Sequence, residues 1–264
     1  MQATTIDEVI TRLEAIIQQT IIDENPMGYF AALYHQVTVT VKEGITNKYY
    51  TDCANLEKLD VIFANRYLQA YSQYQQSQSC TQSWQYACNA TKKIWPTVMQ
   101  NLLLGMNAHI NLDLGVAAVQ TCGGADLIML KDDFYKINTV LASLVNDVQK
   151  SMTEIWPTLS YLLKRVGNAD NYLIDFSMQQ ARDGAWKFAA ELASLNPAQQ
   201  QAAIEERDKK IATIALKVSK PGFFISTIFF LIRIGENGSV SKKIKMFWKK
   251  RVGSIPVGTA GETG

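Results

Sequence analysis

The sequence predicts an all-α protein: a single compact multi-helix domain with a buried central helix. Three observations predict it. Apolar residues recur at spacings of three and four, as in Leu56, Leu59, Ile62, Phe63 and Tyr67, the period of a helix with one buried face. Five of the six prolines, Pro26, Pro96, Pro157, Pro197 and Pro221, stand just before long helix-patterned stretches, where a residue with a fixed φ and no N–H suits the first helical turn. The stretch from Gln100 to Ala118 is apolar enough for a helix covered on every side.

In chain order, helices are expected at about 5–19, 26–43, 52–76, 82–94, 96–119, 126–150, 157–166, 170–194, 197–219, 221–233 and 240–250. Thr5 and Glu8 have capping-box spacing at the first. Asn25 reads as the cap of the second, with Pro26 in its first turn. Within that helix Val37-Thr38-Val39-Thr40-Val41 alternates and is β-branched, which locally prefers a strand. Helix is still expected, because Ala31, Leu33 and Tyr34 lead into it and no partner strand is visible. Gly123-Gly124 reads as the C-terminal cap of the central helix, not as a phosphate loop. Asn196 reads as the cap before Pro197. The pentapeptides I-W-P-T-V at 94–98 and I-W-P-T-L at 155–159 echo each other, and two similar helix starts explain them. Residues 1–251 are expected to form one domain, and 252–264, rich in Gly, Thr and Ser, a flexible tail.

The composition is 47% hydrophobic and 19% charged over 264 residues. A charged fraction below the roughly 25% of an average domain favours a large core over disorder. Net charge is +2, but Lys242, Lys243, Lys245, Lys249, Lys250 and Arg251 cluster without an acid among them. The remaining 20 basic and 24 acidic residues leave the body mildly acidic. Nucleic acid is not an expected partner. On segment 240–251, Val240, Ile244, Phe247 and Trp248 share a helical face ringed by lysines. Such a helix can lie on an anionic membrane surface. Packing on the core is favoured, and the apolar run Phe223 to Ile232 is expected to be buried too. Cys53, Cys80, Cys88 and Cys122 include no C-x-x-C pair and read as reduced, buried thiols. The N-terminus has no basic region followed by an apolar run, and the location expected is cytoplasmic.

Within its apolar surroundings, the central stretch carries Asn107, His109, Asn111 and Asp113. Polar groups buried without partners cost about 1–3 kcal/mol each, so these four are either wired into a network or line a site. On an ideal helix Gln100, Asn107 and Asn111 fall within about 40° of one another. His109 and Asp113, four apart, share a roughly opposite face. An i, i+4 His/Asp pair can be a structural hydrogen bond, an oriented acid–base dyad or half of a metal site. His35 and His109 are the only histidines, and nothing in the sequence brings His35 to the other two. Arg66 or Arg182 could pair with Asp113, or either could clamp an anionic group. Gly105 and Gly115 inside the helix suggest a closely packed neighbour. No G-x-G-x-x-G, Walker, G-x-S-x-G, H-E-x-x-H or EF-hand pattern occurs, which disfavours nucleotide-dependent chemistry and the familiar hydrolase classes.

The block L-L-L-G-M-N-A-H-I-N-L-D-L at 102–114 resembles a bacterial family known only as domain of unknown function 5995. The blocks F-A-A-L-Y-H-Q-V-T at 30–38, L-D-V-I-F-A-N-R-Y-L at 59–68, A-R-D-G-A-W-K-F-A at 181–189, Arg207-Asp208 and I-R-I-G-E at 232–236 are similar to that family as well, so the resemblance covers about 28–236. It implies one all-helical unit and no particular reaction. In the family pattern Arg often takes the place of His35, which weakens His35 as a required ligand. H-x-x-x-D after a glycine also resembles the metal helix of zinc-dependent phospholipase C proteins, but the other histidines are missing and no metals are carried over.

Together these readings favour an enzyme without metal, nucleotide or organic cofactor, acting on an apolar or amphipathic small molecule in an internal cavity. His109 would be the acid or base and Asp113 its orienter. Asn107, Asn111, Arg66 and His35 are the candidate substrate-binding residues, the two asparagines alternatively holding the neighbouring helix. The rival is a non-catalytic helical binding or scaffold protein whose buried polar residues fix helix register.

Overall fold

The computed structural model describes residues 2–123, 126–137 and 178–249. Helices dominate, and none of the described residues is in a strand. In order they are α1 (Ile6–Ile22), α2 (Met27–Thr46), α3 (Cys53–Gln75), α4 (Gln82–Ala90) and α5, which runs from Val98 to Cys122. After a 3₁₀ turn at Leu127–Leu130, residues 131–137 are helical. The chain continues with α6 (Met178–Ala193), α7 (Pro197–Ser219), α8 (Phe223–Gly235) and α9 (Val240–Lys249). The helix expected at 157–166, the second I-W-P-T block and the expected tail at 252–264 lie outside the described residues.

Local chemistry accounts for most of the helix starts. Thr5 accepts from the Glu8 N–H at 3.2 Å, but Glu8 reaches back to Thr4, not to Thr5, so the expected box is half made. At α2 the cap position is Pro26 itself, one residue later than expected, while the Asn25 side chain accepts from the Met27 N–H. Thr97 caps α5 in a full box with Gln100, so Pro96 stands ahead of the helix and not in its first turn as expected. Asn196 and Gln199 form the same box at α7, with Pro197 in the first turn as expected. Gly123, at φ +62, ends α5 in the left-handed conformation that glycine adopts without strain. The helix expected to reach 94 stops at Ala90.

Residues 37–41 are helical despite their β-branched alternation. The Thr38 and Thr40 hydroxyls turn back onto the carbonyls of Tyr34 and Gln36, which satisfies them inside the core. Burial of α2 on nearly every side from Met27 to Gln36 outweighs local propensity.

The core forms around α5. By composition and length α5 could cross a membrane, yet 89% of an apolar 18-residue stretch of it is buried within this protein. α2, α4 and α7 flank its first half; α3 and α6 flank its second. Three distant carboxylates tie loops and helix starts to this frame. Glu236 accepts from the Val98 N–H at 2.8 Å, at the start of α5. Asp208 accepts from the N–H groups of Gln82 and Ser83 at the start of α4. Asp133 accepts from Thr51 and Asp52 ahead of α3.

The expected fate of the C-terminal helices is met only in part. On α9, Ile244 and Phe247 are buried against α1 and α2, and Lys243 is buried with Glu236 at 3.6 Å. On α8, Phe229 and Ile232 are buried, whereas Phe223, Phe230, Leu231 and Ile234 are exposed. The expectation that this run is buried holds for one side of it only: one stripe of α8 faces outward. The four cysteines are free, as expected, but only Cys88 is buried; the other three are half-exposed.

Gly115 sets the closest approach in the bundle. A Cβ there would lie 2.8 Å from the Ala185 carbonyl oxygen and 3.0 Å from the Phe188 ring. Alanine gains up to about 1 kcal/mol of helix propensity over glycine, but overpacking against backbone costs about 1–3 kcal/mol. Gly115→Ala is therefore expected to lower stability by about 1–2 kcal/mol in urea titrations. An unchanged or raised midpoint would contradict the packing of α5 on α6.

Candidate functional site

Asp113 is the centre of the site. Its carboxylate is buried in the second half of α5 and takes three donors: Arg66 Nε on α3 at 2.8 Å, Trp84 Nε1 on α4 at 2.8 Å and His109 Nδ1 at 3.4 Å. Burial opposes its ionisation. The Arg66 guanidinium, with the hydrogen bonds from His109 and Trp84, outweighs burial and holds the carboxyl below its usual range. Asp113 is thus a carboxylate, able only to accept.

That settles the tautomer of His109. Burial lowers the imidazole pKa, with Asp113 opposing, so the ring is neutral at pH 7. A neutral ring has one proton, and facing a carboxylate it sits on Nδ1. Nε2 then carries a bare lone pair. Among the described residues it has no hydrogen-bond partner. The ring lies flat on Phe63, with centroids 3.6 Å apart and planes 8° apart, and meets Tyr34 edge-on at 4.5 Å. Phe30, Tyr67 and Trp84 close the surroundings at 5.6–6.1 Å.

A π turn positions the pair. Between His109 and Asp113 the helix widens, and the Leu114 N–H donates to the His109 carbonyl five residues back. The extra residue in the turn brings side chains four apart closer to alignment than an α-helix does, and such turns are frequent at functional sites. Arg207 Nε on α7 donates to the Asn111 carbonyl within the turn at 3.1 Å.

The other expected site residues divide. Arg66 is at the site, as the partner of Asp113; Arg182 is not. Arg182 is buried against the Phe134 ring and donates to the Phe134 carbonyl. Asn107 and Asn111 lie on the far side of α5. Asn107 donates to the Ile211 carbonyl on α7 and receives a hydrogen bond from Asn111. Gln100 donates to Val218 on the same helix. These side chains hold α7, the alternative the sequence left open for the asparagines. His35 meets Glu14 at 3.3 Å and the Trp248 ring, away from the rings around His109. Among the described residues no group of three or more His, Cys, Asp and Glu side chains is set to hold a metal.

Sequence reasoning assigned no role to Trp84, Phe63, Tyr34 or Asp60. Asp60, Phe63 and Tyr67 are spaced i, i+3, i+7 on α3, so a carboxyl on an aromatic stripe was the available signal. Asp60 is buried, and its Oδ2 has no hydrogen-bond partner among the described residues. Burial, with the nearby charge of Glu57, raises its pKa to about 7. Its charge also acts on the buried hydroxyls of Tyr34 and Tyr50. The interior thus holds an ionised carboxylate at Asp113, a neutral base at His109 and a carboxyl close to half-protonated at Asp60.

Residues 6–221 match a family model described as a family of unknown function (DUF5995). The chain belongs to this family. The match starts before the sequence blocks recognised above and stops short of I-R-I-G-E. No curated protein and no solved structure matches the chain.

Asp60 makes stability fall with pH. Below its ordinary value of 3.8 the carboxyl is neutral in both states. Between 3.8 and about 7 the unfolded chain ionises freely while the folded one stays protonated, so the folded state loses ground as pH rises. At about 1.4 kcal/mol per pH unit the loss reaches about 4 kcal/mol. Asp60→Asn, which mimics the neutral acid, is expected to be clearly more stable than wild type at pH 8 and nearly equal to it at pH 4 in denaturant titrations. Equal stabilities at pH 8 would show that Asp60 ionises freely in the folded protein.

Proposed function

We propose that this protein is an enzyme without nucleotide or organic cofactor, acting on a largely apolar small molecule by proton transfer at His109. The observation that carries the reading is the orientation of the imidazole. Asp113 fixes the Nδ1–H and leaves the Nε2 lone pair without a hydrogen-bond partner among the described residues, surrounded by aromatic rings. A neutral imidazole with one nitrogen anchored to a carboxylate is a general base of defined direction. Arg66 and Trp84 are positioning groups: Arg66 donates to one oxygen of Asp113 and Trp84 to the one that His109 meets, which holds the carboxylate in place and favours its ionised form. The aromatic surroundings favour a substrate with an apolar body and few polar groups.

A second reading has its own observation. The carboxylate joins α3, α4 and α5, and His109 stacks tightly on Phe63, which suits a binding or scaffold protein whose polar residues fix helix register.

Diethyl pyrocarbonate separates the two, because it is a small carbonyl electrophile that reacts with unprotonated imidazole and the chain has only two histidines. The enzyme reading expects ethoxyformylation of His109 at Nε2 in the native protein, faster than in Asp113→Asn, found by peptide mass spectrometry. Modification of His109 only after unfolding would favour the scaffold. Because Asp113→Asn also removes the partner of a mostly buried Arg66, it is expected to cost about 3 kcal/mol in thermal melts, and the comparison belongs well below its melting point.

A further inference from the structure

The exposed stripe of α8 continues into the loop that leads to α5. Phe223, Phe230, Leu231 and Ile234 follow one another at helical spacing on one face, with Ser226 and Thr227 between them. Phe223 is 91% exposed and Ile234 63%. Trp95 and Ile94, 62% and 77% exposed, lie beside them: the Trp95 and Phe230 rings are 5.2 Å apart, and Arg233 Nε donates to the Ile94 carbonyl at 2.8 Å. Large apolar side chains in a contiguous exposed patch mark an interaction surface.

The charge around the patch says what kind. Lys92 and Lys93 precede Ile94, Lys220 precedes the start of α8, and all three are exposed. Lys92 also lies over the Tyr74 ring. Neither 61–112 nor 209–235, the segments that build the patch, contains an acidic residue. Residues 211–251 carry nine basic side chains against one acidic, while the rest of the chain is net −6. A second copy docking here face to face would set lysine against lysine. An anionic lipid surface complements both parts: its headgroups attract the lysines, and Trp, Phe and Ile side chains enter the boundary with the acyl chains.

We propose that the face formed by α8 and the 92–95 loop docks on anionic membrane surfaces. The apolar side chains insert and the lysines pair with lipid headgroups. This role is distinct from that of α9, whose apolar side is used inside the fold.

The test is co-sedimentation of the full chain with phosphatidylcholine vesicles, with and without phosphatidylglycerol, at low salt and at about 0.15 M. Binding is expected only with phosphatidylglycerol and is expected to weaken with salt. Lys92→Glu/Lys93→Glu should weaken it roughly fivefold or more per lysine. Phe223→Ser and Trp95→Ser should each weaken it with little change in melting temperature, because both side chains stand outside the core. No binding by wild type at low salt would overturn the proposal. So would binding that survives the Phe223 and Trp95 changes but is lost in Lys242→Glu/Lys245→Glu, which would move the surface to α9. Self-association abolished by Phe223→Ser, without vesicle binding, would assign the patch to a second copy and overturn the proposal as well.

Discussion

Everything in the centre of this protein is arranged around one buried negative charge. Asp113 lies where an isolated carboxylate would be far too costly to ionise. It stays ionised because Arg66 reaches it from α3, Trp84 from α4 and His109 from its own helix. Each donor fixes something beyond the charge. Arg66 sets the rotation of α3, Trp84 sets the approach of the short helix α4, and His109 is left with a single possible tautomer. The aromatic packing of Phe30, Phe63 and Tyr67 then keeps water from competing for these hydrogen bonds.

The sequence blocks singled out above find a common physical explanation in this arrangement. Phe30 and Tyr34 come from the first block, and Phe63, Arg66 and Tyr67 from the second. Ala185 and Phe188 come from the block that packs on Gly115. Arg207 and Asp208 hold the π turn and the start of α4. Glu236, the last residue of I-R-I-G-E, caps α5. Segments far apart in the chain thus converge on one helix, either to supply a group near His109 or to hold the backbone that carries it.

Much of this was legible in the residues. Periodicity and proline placement located the helices, since one-sided burial and the first-turn tolerance for proline leave marks that need no tertiary information. The opposite faces of His109–Asp113 and Asn107–Asn111 followed from helix geometry alone and hold in the structure. The partners were not legible. Trp84 lies in a short polar helix whose contact with Asp113 depends on how α4 packs, and no spacing within 82–90 records that. Arg66 and Arg182 looked equivalent because both are basic residues in apolar company; only the rotation of α3 and α6 separates them. The exposed stripe of α8 was misread for a related reason: composition reports that a segment is apolar, not which of its faces the rest of the fold covers.

The π turn also divides the central helix into two halves with separate phases. The upstream half is keyed to α7 by Gln100 and Asn107, and the downstream half to α6 by the bare backbone at Gly115. In a regular helix one extra residue would rotate one half against the other by about 100°; the π turn absorbs it, because its wider turn advances less per residue. Loss of a single residue within 109–113 would restore regular helix with both halves near their present phase, Gly115 still against Ala185, and would change only which side chains face Arg66 and Trp84. The length of this turn is therefore a property of the site more than of the bundle: the wide turn sets which side chains meet α3 and α4, while the packing on α6 and α7 keeps its register on either side of it.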